Sequence, residues 1–256
     1  MIKVIEDDRI EWFVRFILPS ENLLALDPII AGGSMLSLYR AIKLHDTTEK
    51  WDALKRSLML RPSIAKLDAF SDIDIWFDKT NPIHKSDHKF NWLINSLPEN
   101  AMEIAKNDLG IYKIYKSSKW ANSYYPNSTT ASKPLTKEVQ FIKKSFASIE
   151  ELLASFDFVN CSVAWHNGKL YYDDRIDDSF SSFELTLNNS VAYDSDSIAM
   201  KVFSALRAFK YSTRYSLDFC PILTNHIFKL YYDSKAIDYA AYQDHVIELE
   251  EHYGKT

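Results

Sequence analysis

Apolar residues recur at helical spacing between Asp8 and Leu18, at Ile10, Phe13, Val14, Ile17 and Leu18, and Pro19 closes the run. The pattern then changes. Pro28-Ile29-Ile30-Ala31 reads as a short buried strand, and after Gly32-Gly33-Ser34 the positions Met35, Leu36, Leu38, Tyr39 and Ile42 predict a helix reaching about Leu44. Trp51, Leu54, Leu58 and Met59 predict another helix inside a polar insertion (45–66), stopped by Pro62. From Ala69 to Phe77 the period is two: Ile73, Ile75 and Phe77 alternate with Asp72, Asp74 and Trp76, which describes a strand with one packed face and one acidic face.

Further along, 91–97 fits a helix, and 110–116 and 138–146 fit strands separated by a polar loop (117–137). Ser148 with Glu151 three residues on forms a helix-start signature. Phe156 to Trp165 reads as a strand, and Asn167-Gly168 as a hairpin turn into Lys169–Tyr172. Beyond about Ser195 the pattern is helical, through Ile198, Val202, Phe203 and Leu206, then Ile227, Leu230 and Tyr231, then Tyr239, Tyr242, Val246 and Ile247. The expected architecture is therefore α+β: a small mixed β-sheet flanked by helices over residues 1–194, with a helical C-terminal part over 195–256.

Composition changes this picture at three points. The net charge of −5 argues against a general polyanion-binding surface, although local basic patches stay open. Two cysteines, Cys161 and Cys220, are expected as reduced thiols, because the acidic start of the chain is unlike an export signal. No run approaches the roughly 18 apolar residues of a membrane span. A cytoplasmic protein without a membrane partner is expected.

Asp72 and Asp74 stand two apart on one strand face, and paired hard oxygen donors suit divalent cations with phosphate substrates. Gly32, Gly33 and Ser34 offer bare amides and a hydroxyl where a strand turns into a helix, which suits a phosphate. A third acid from an adjacent strand would complete a two-metal site, and Asp157, at the expected start of the strand 156–165, is the choice. Other clusters are weaker. His84 and His88 have zinc-like spacing but no third ligand; Asp173, Asp174, Asp177 and Asp178 read as a charged turn; Trp120, Tyr124 and Tyr125 beside Lys116 and Lys119 suit either base stacking or pinning of a loop.

Strand, Gly-Gly-Ser, helix, then a strand bearing Asp-x-Asp resembles the DNA polymerase beta-type nucleotidyltransferase superfamily, over roughly residues 29–166. The resemblance implies that Gly33 and Ser34 hold a nucleoside triphosphate, and that Asp72, Asp74 and Asp157 bind two magnesium ions, with manganese as a substitute. The gap between Ser34 and Asp72 is longer than in minimal members, so an insertion follows the helix. Phe156-Asp157-Phe158-Val159-Asn160-Cys161 and the later segment 207–215 resemble phage and large-virus members, which would make the location the host cytoplasm. Arg207, Lys210 and Arg214 share one helical face and could neutralise departing pyrophosphate or complement their own helix dipole.

The resulting expectation is a nucleotidyltransferase moving a nucleoside monophosphate to a hydroxyl acceptor, whether tRNA, protein or small molecule. The alternative is a non-catalytic binding or structural protein on the same fold.

Overall fold

The computed structural model describes residues 1–18, 24, 27–60, 73–80, 112–117, 121–126, 139–142, 144–194 and 198–235. The expected helix at 91–97, His84, His88, Trp120 and the apolar pattern after residue 235 lie outside them, as does Asp72. The described chain is α+β, with a mixed sheet, flanking helices and two helices in its C-terminal part. Its contacts divide it into two compact units, 2–153 with 162–173, and 1 with 154–161 and 174–256. The division crosses the chain several times, whereas local patterning suggested one boundary near residue 194.

In the larger unit the elements run β1 (Ile2–Glu6), α1 (Asp8–Ile17), β2 (Ile29–Ala31), α2 (Gly33–Leu44), α3 (Thr48–Leu60), β3 (Ile73–Trp76), β4 (Tyr112–Ser117), β5 (Ala121–Pro126), β6 (Val139–Ile142), α4 (Ile149–Ala154, whose last residue falls to the other unit), β7 (Val163–His166) and β8 (Lys169–Asp173). All eight strands form one sheet in the order β1-β8-β7-β2-β3-β6-β5-β4. Only β3 and β6 run parallel; every other neighbouring pair is antiparallel.

Local chemistry accounts for the ends of several elements. Asp7 caps α1 by accepting from the Arg9 amide, and Ile10, Phe13, Val14 and Ile17 bury one stripe of that helix. Ile29, Ile30 and Ala31 are all buried, so β2 is a central strand without a polar face. Residues Gly33 to Tyr39 of α2 are buried without interruption, the signature of a helix enclosed on all sides. Asn167 and Gly168 both have positive φ, +48° and +77°, as a two-residue hairpin turn requires, and they join β7 to β8 as the dipeptide predicts.

Two expectations need correcting. The polar loop expected over 117–137 contains β5, which bridges β4 and β6, so Tyr124 and Tyr125 are strand residues. The strand expected over Phe156–Trp165 begins only at Val163, after a 3₁₀ turn at Val159–Cys161. The physical reason is where the backbone and Asn160 find partners. The Val159 amide donates to the Thr186 carbonyl, Asn160 Nδ2 donates to Ser179 Oγ, and the Thr186 amide donates to Asn160 Oδ1. Those bonds, with a bridge between Phe158 and Leu187, hold 158–160 against the segment 179–187.

The smaller unit holds that turn with α5 (Arg175–Ser181), β9 (Glu184–Leu185), α6 (Val191–Asp194), α7 (Ile198–Tyr215), β10 (Asp218–Phe219) and α8 (Pro221–Lys235). The Asp173–Asp178 cluster closes β8 and opens α5, as a charged turn should. Both cysteines are free and buried, and burial pushes the Cys161 thiol up to about 12.

Candidate active site

The turn from β2 into α2 is built around Gly32. Its φ of 87° and ψ of −144° lie in territory closed to side-chain-bearing residues. Its amide donates to the Val163 carbonyl of β7 at 3.0 Å, and its carbonyl accepts from Leu36 at 2.9 Å, the first bond of the helix. The amides of Gly33, Ser34 and Met35 precede that bond and so have no acceptor within the helix. No acidic residue occupies the first turn of α2 itself. α2 runs for twelve residues from this turn. Ser34 Oγ is fully buried and has no hydrogen-bond partner among the described residues.

Asp74 lies beside this turn. On β3, Ile73 and Ile75 are buried while Asp74 and Trp76 are half-exposed, so the alternation read from the sequence holds. Asp74 stands opposite Ala31 of β2, the residue before Gly32. A Cβ on Gly32 would come within 3.3 Å of Asp74 Oδ2. The phosphate-type turn and the acidic strand face are therefore adjacent in space. A cradle that a methyl group would crowd, a buried hydroxyl without a partner and a carboxylate at its edge together fit a phosphate accompanied by a divalent cation. Among the described residues no group of three or more His, Cys, Asp or Glu side chains is placed to hold a metal ion.

The other neighbour of β3 is β6, with Val139 opposite Ile73 and Gln140 opposite Asp74. Glu138 precedes Val139 in the chain just as Asp72 precedes Ile73, and both acids lie outside the described residues.

Asp157 belongs to the smaller unit and sits in an irregular segment, not at the head of a strand. Its Oδ2 accepts from Ser204 Oγ at 2.7 Å and from Arg207 through Nε at 3.1 Å and through Nη2. Its carbonyl accepts from the amides of Asn188 and Asn189. Asp157 thus fastens the segment before the 3₁₀ turn to α7. Of Arg207, Lys210 and Arg214 on α7, Arg207 is engaged in this pair. Lys210 is exposed, with its ammonium 6.0 Å from the Tyr211 ring centre, and Arg214 has a buried Nη1 without a hydrogen-bond partner among the described residues. Gly32, Gly33, Ser34 and Asp74 thus come together in the larger unit, whereas Asp157, Arg207, Lys210 and Arg214 belong to the smaller one.

A protein-family model described as Gabija anti-defense 2 family protein matches residues 5–182. No curated protein matches the chain. Among solved structures, a CCA-adding enzyme in complex with CTP aligns with a TM-score of 0.49 and 11% identity over 97% of this chain and 50% of that one. A CCA-adding enzyme complex with ATP gives 0.48 and 12%, over 97% and 51%. The Thermotoga maritima CCA-adding enzyme complexed with tRNA gives 0.45 and 12%, over 89% and 45%. The chain spans about half the length of these structures.

Proposed function

The chain belongs to the Gabija anti-defense 2 family, and from that premise we propose that it opposes Gabija as a nucleotidyltransferase, moving a nucleoside monophosphate from a nucleoside triphosphate to a hydroxyl acceptor. The observation that carries the reading is the contact of the Gly32 turn with Asp74, because nucleotidyl transfer needs a triphosphate and a carboxylate side by side. The transfer is assigned to the part spanning 1–194, with 195–256 supporting it.

In this reading the free amides at the start of α2 take the triphosphate, and Ser34 Oγ gains the acceptor it lacks by donating to a phosphate oxygen. The absence of a side chain at Gly32 keeps Asp74 clear for the reacting phosphate. Asp72 and Asp74 would hold magnesium, or manganese in its place, with Asp157 as third donor; ions bound there would lower the acceptor hydroxyl's pKa and offset charge on the departing pyrophosphate. An acceptor O–P bond forms at the α-phosphorus as the bond to the bridging oxygen breaks, and pyrophosphate and one proton leave. Lys210 and Arg214 would supply positive charge for the phosphates, and Arg207 would join them on leaving Asp157.

The test is incubation of the purified protein with each α-labelled nucleoside triphosphate, magnesium and cell extract. Label should pass into a product, and Asp74→Asn should lower that transfer about a hundredfold or more, the scale lost when one transition-state stabiliser is removed. Equal transfer by Asp72→Asn/Asp74→Asn would falsify the proposal.

A non-catalytic binding role in the same anti-defense function is the second reading. One observation favours it: the Asp157 carboxylate is already engaged by Arg207 and Ser204. Absence of any thermal stabilisation by magnesium with each nucleotide would select this reading.

A further inference from the structure

The residues paired with Asp74 form one row across the sheet of the larger unit. Paired positions on neighbouring strands carry their side chains on the same face. Ala164 of β7, Ala31 of β2, Asp74 of β3 and Gln140 of β6 therefore share a face in that order. By register the row continues to Ser123 of β5 and Lys116 of β4. Gln140 is thus the neighbour of Asp74 on the side away from the Gly32 turn, one strand spacing of about 4.8 Å distant.

The two sides of Asp74 differ in access. Ala31 and Ala164 are fully buried, which closes the row towards β2 and β7. Asp74 and Gln140 are both half-exposed. A molecule that reaches Asp74 along this row comes from the β6 side and passes Gln140.

The transfer proposed above, on which this step rests, says which molecule that is. Nucleotidyl transfer is an in-line displacement, with the attacking and leaving oxygens on opposite sides of the phosphorus. With the outer phosphates at the Gly32 turn and the α-phosphate at Asp74, pyrophosphate departs on the β2 side and the acceptor enters on the β6 side. We propose that Gln140 receives the acceptor: its Oε1 accepts the hydrogen bond of the incoming hydroxyl and aims that oxygen at the α-phosphorus. The acceptor oxygen bonds the α-phosphorus, the bond to the bridging oxygen breaks, pyrophosphate leaves and the hydroxyl proton passes to water. A carboxamide suits holding and not deprotonation, because it is uncharged and offers an acceptor oxygen that keeps no proton at neutral pH. Gln140 thereby governs capture and orientation of the acceptor and leaves nucleotide binding to the glycine turn.

The test is label transfer from an α-labelled nucleoside triphosphate with magnesium to cell extract, with nucleotide and extract varied separately. Gln140→Met is close in size and lacks the amide. It should need about fivefold more extract for half-maximal transfer, the scale of one hydrogen bond, at an unchanged nucleotide requirement. It should also keep the wild-type thermal shift with magnesium and nucleotide. Gln140→Glu retains an accepting oxygen at the same reach and should keep the wild-type extract requirement. Gln140→Ala serves the same comparison should Gln140→Met not fold. An unchanged extract requirement in Gln140→Met, a raised nucleotide requirement, a smaller thermal shift, or an equal loss in Gln140→Glu overturns the proposal. Any of these alongside transfer by the wild type sinks this inference alone. No transfer by the wild type sinks the transferase reading and this inference with it.

Discussion

Gly32 packs so closely under Asp74 that a Cβ at residue 32 would lie 3.3 Å from the Asp74 Oδ2 atom. The glycine is thus required twice, once by its φ of 87° and once by its neighbour. Gly32→Ala should destabilise the fold by about 1–3 kcal/mol through backbone strain. Urea denaturation measures that loss, and label transfer should fall further than stability alone explains, because the methyl displaces the carboxylate. Full transfer in a folded Gly32→Ala protein would contradict the placement of Asp74 at the reacting phosphate.

Ser34 makes the opposite prediction for stability. Its hydroxyl is buried without a partner among the described residues, and a buried unsatisfied polar group costs about 1–3 kcal/mol. Ser34→Ala should therefore leave the melting temperature unchanged or raise it. The thermal shift produced by magnesium and nucleotide should shrink in the same variant. A residue that served only the fold would lower the melting temperature and leave the ligand-induced shift intact.

The Asp157–Arg207 pair is a fastening within the smaller unit. Asp157 is 14% exposed at its side chain, but Arg207 is 43% exposed, so solvent screens part of the attraction. Asp157→Ala should cost about 2 kcal/mol, the scale of hydrogen bonds to a charged group discounted for that screening. A double-mutant cycle with Arg207→Ala should return a coupling of about 1 kcal/mol. Additive losses would show that the two side chains do not stabilise each other.

Asp7 sets an acid limit on stability. Its bond to the Arg9 guanidinium, which outweighs the effect of burial, holds the carboxyl below its ordinary 3.8. The pair also anchors α1, since Arg9 Nη1 donates to the His45 carbonyl at 2.6 Å. A depressed folded-state pKa means the stabilisation is complete above the unfolded value near 3.8 and is lost as pH falls through the folded one. Asp7→Asn should thus destabilise the protein at pH 7, with an effect that shrinks progressively as the pH falls below 3.8. Urea midpoints of both proteins across that range check it; parallel curves would rule out this origin.

Local chemistry alone determined much of this protein. The β2–glycine–α2 turn, the alternating face of β3, the Asn167-Gly168 hairpin and the long helices after Ser195 all follow from side chains acting on their immediate neighbours. Spacing along one strand or helix decides which face is apolar, and positive φ at a turn selects its residues. Asp74 was legible as a residue of the polar face of β3 for the same reason. The position of β5 within a polar stretch was not, because a strand with partners on both sides is held by its hydrogen bonds to β4 and β6 and needs no apolar alternation of its own.

Tertiary structure decided who pairs with whom. It set Gln140 beside Asp74, drawing notice to Glu138, and it gave Asp157 to an arginine fifty residues away. It also bound Asn160 to Ser179 and Thr186, which turned an expected strand into a 3₁₀ turn. A carboxylate carries the same pattern in sequence whether it faces a cation, a guanidinium or water. Its role is fixed by the charges that folding brings within a few ångströms, and those come from segments that no local window contains.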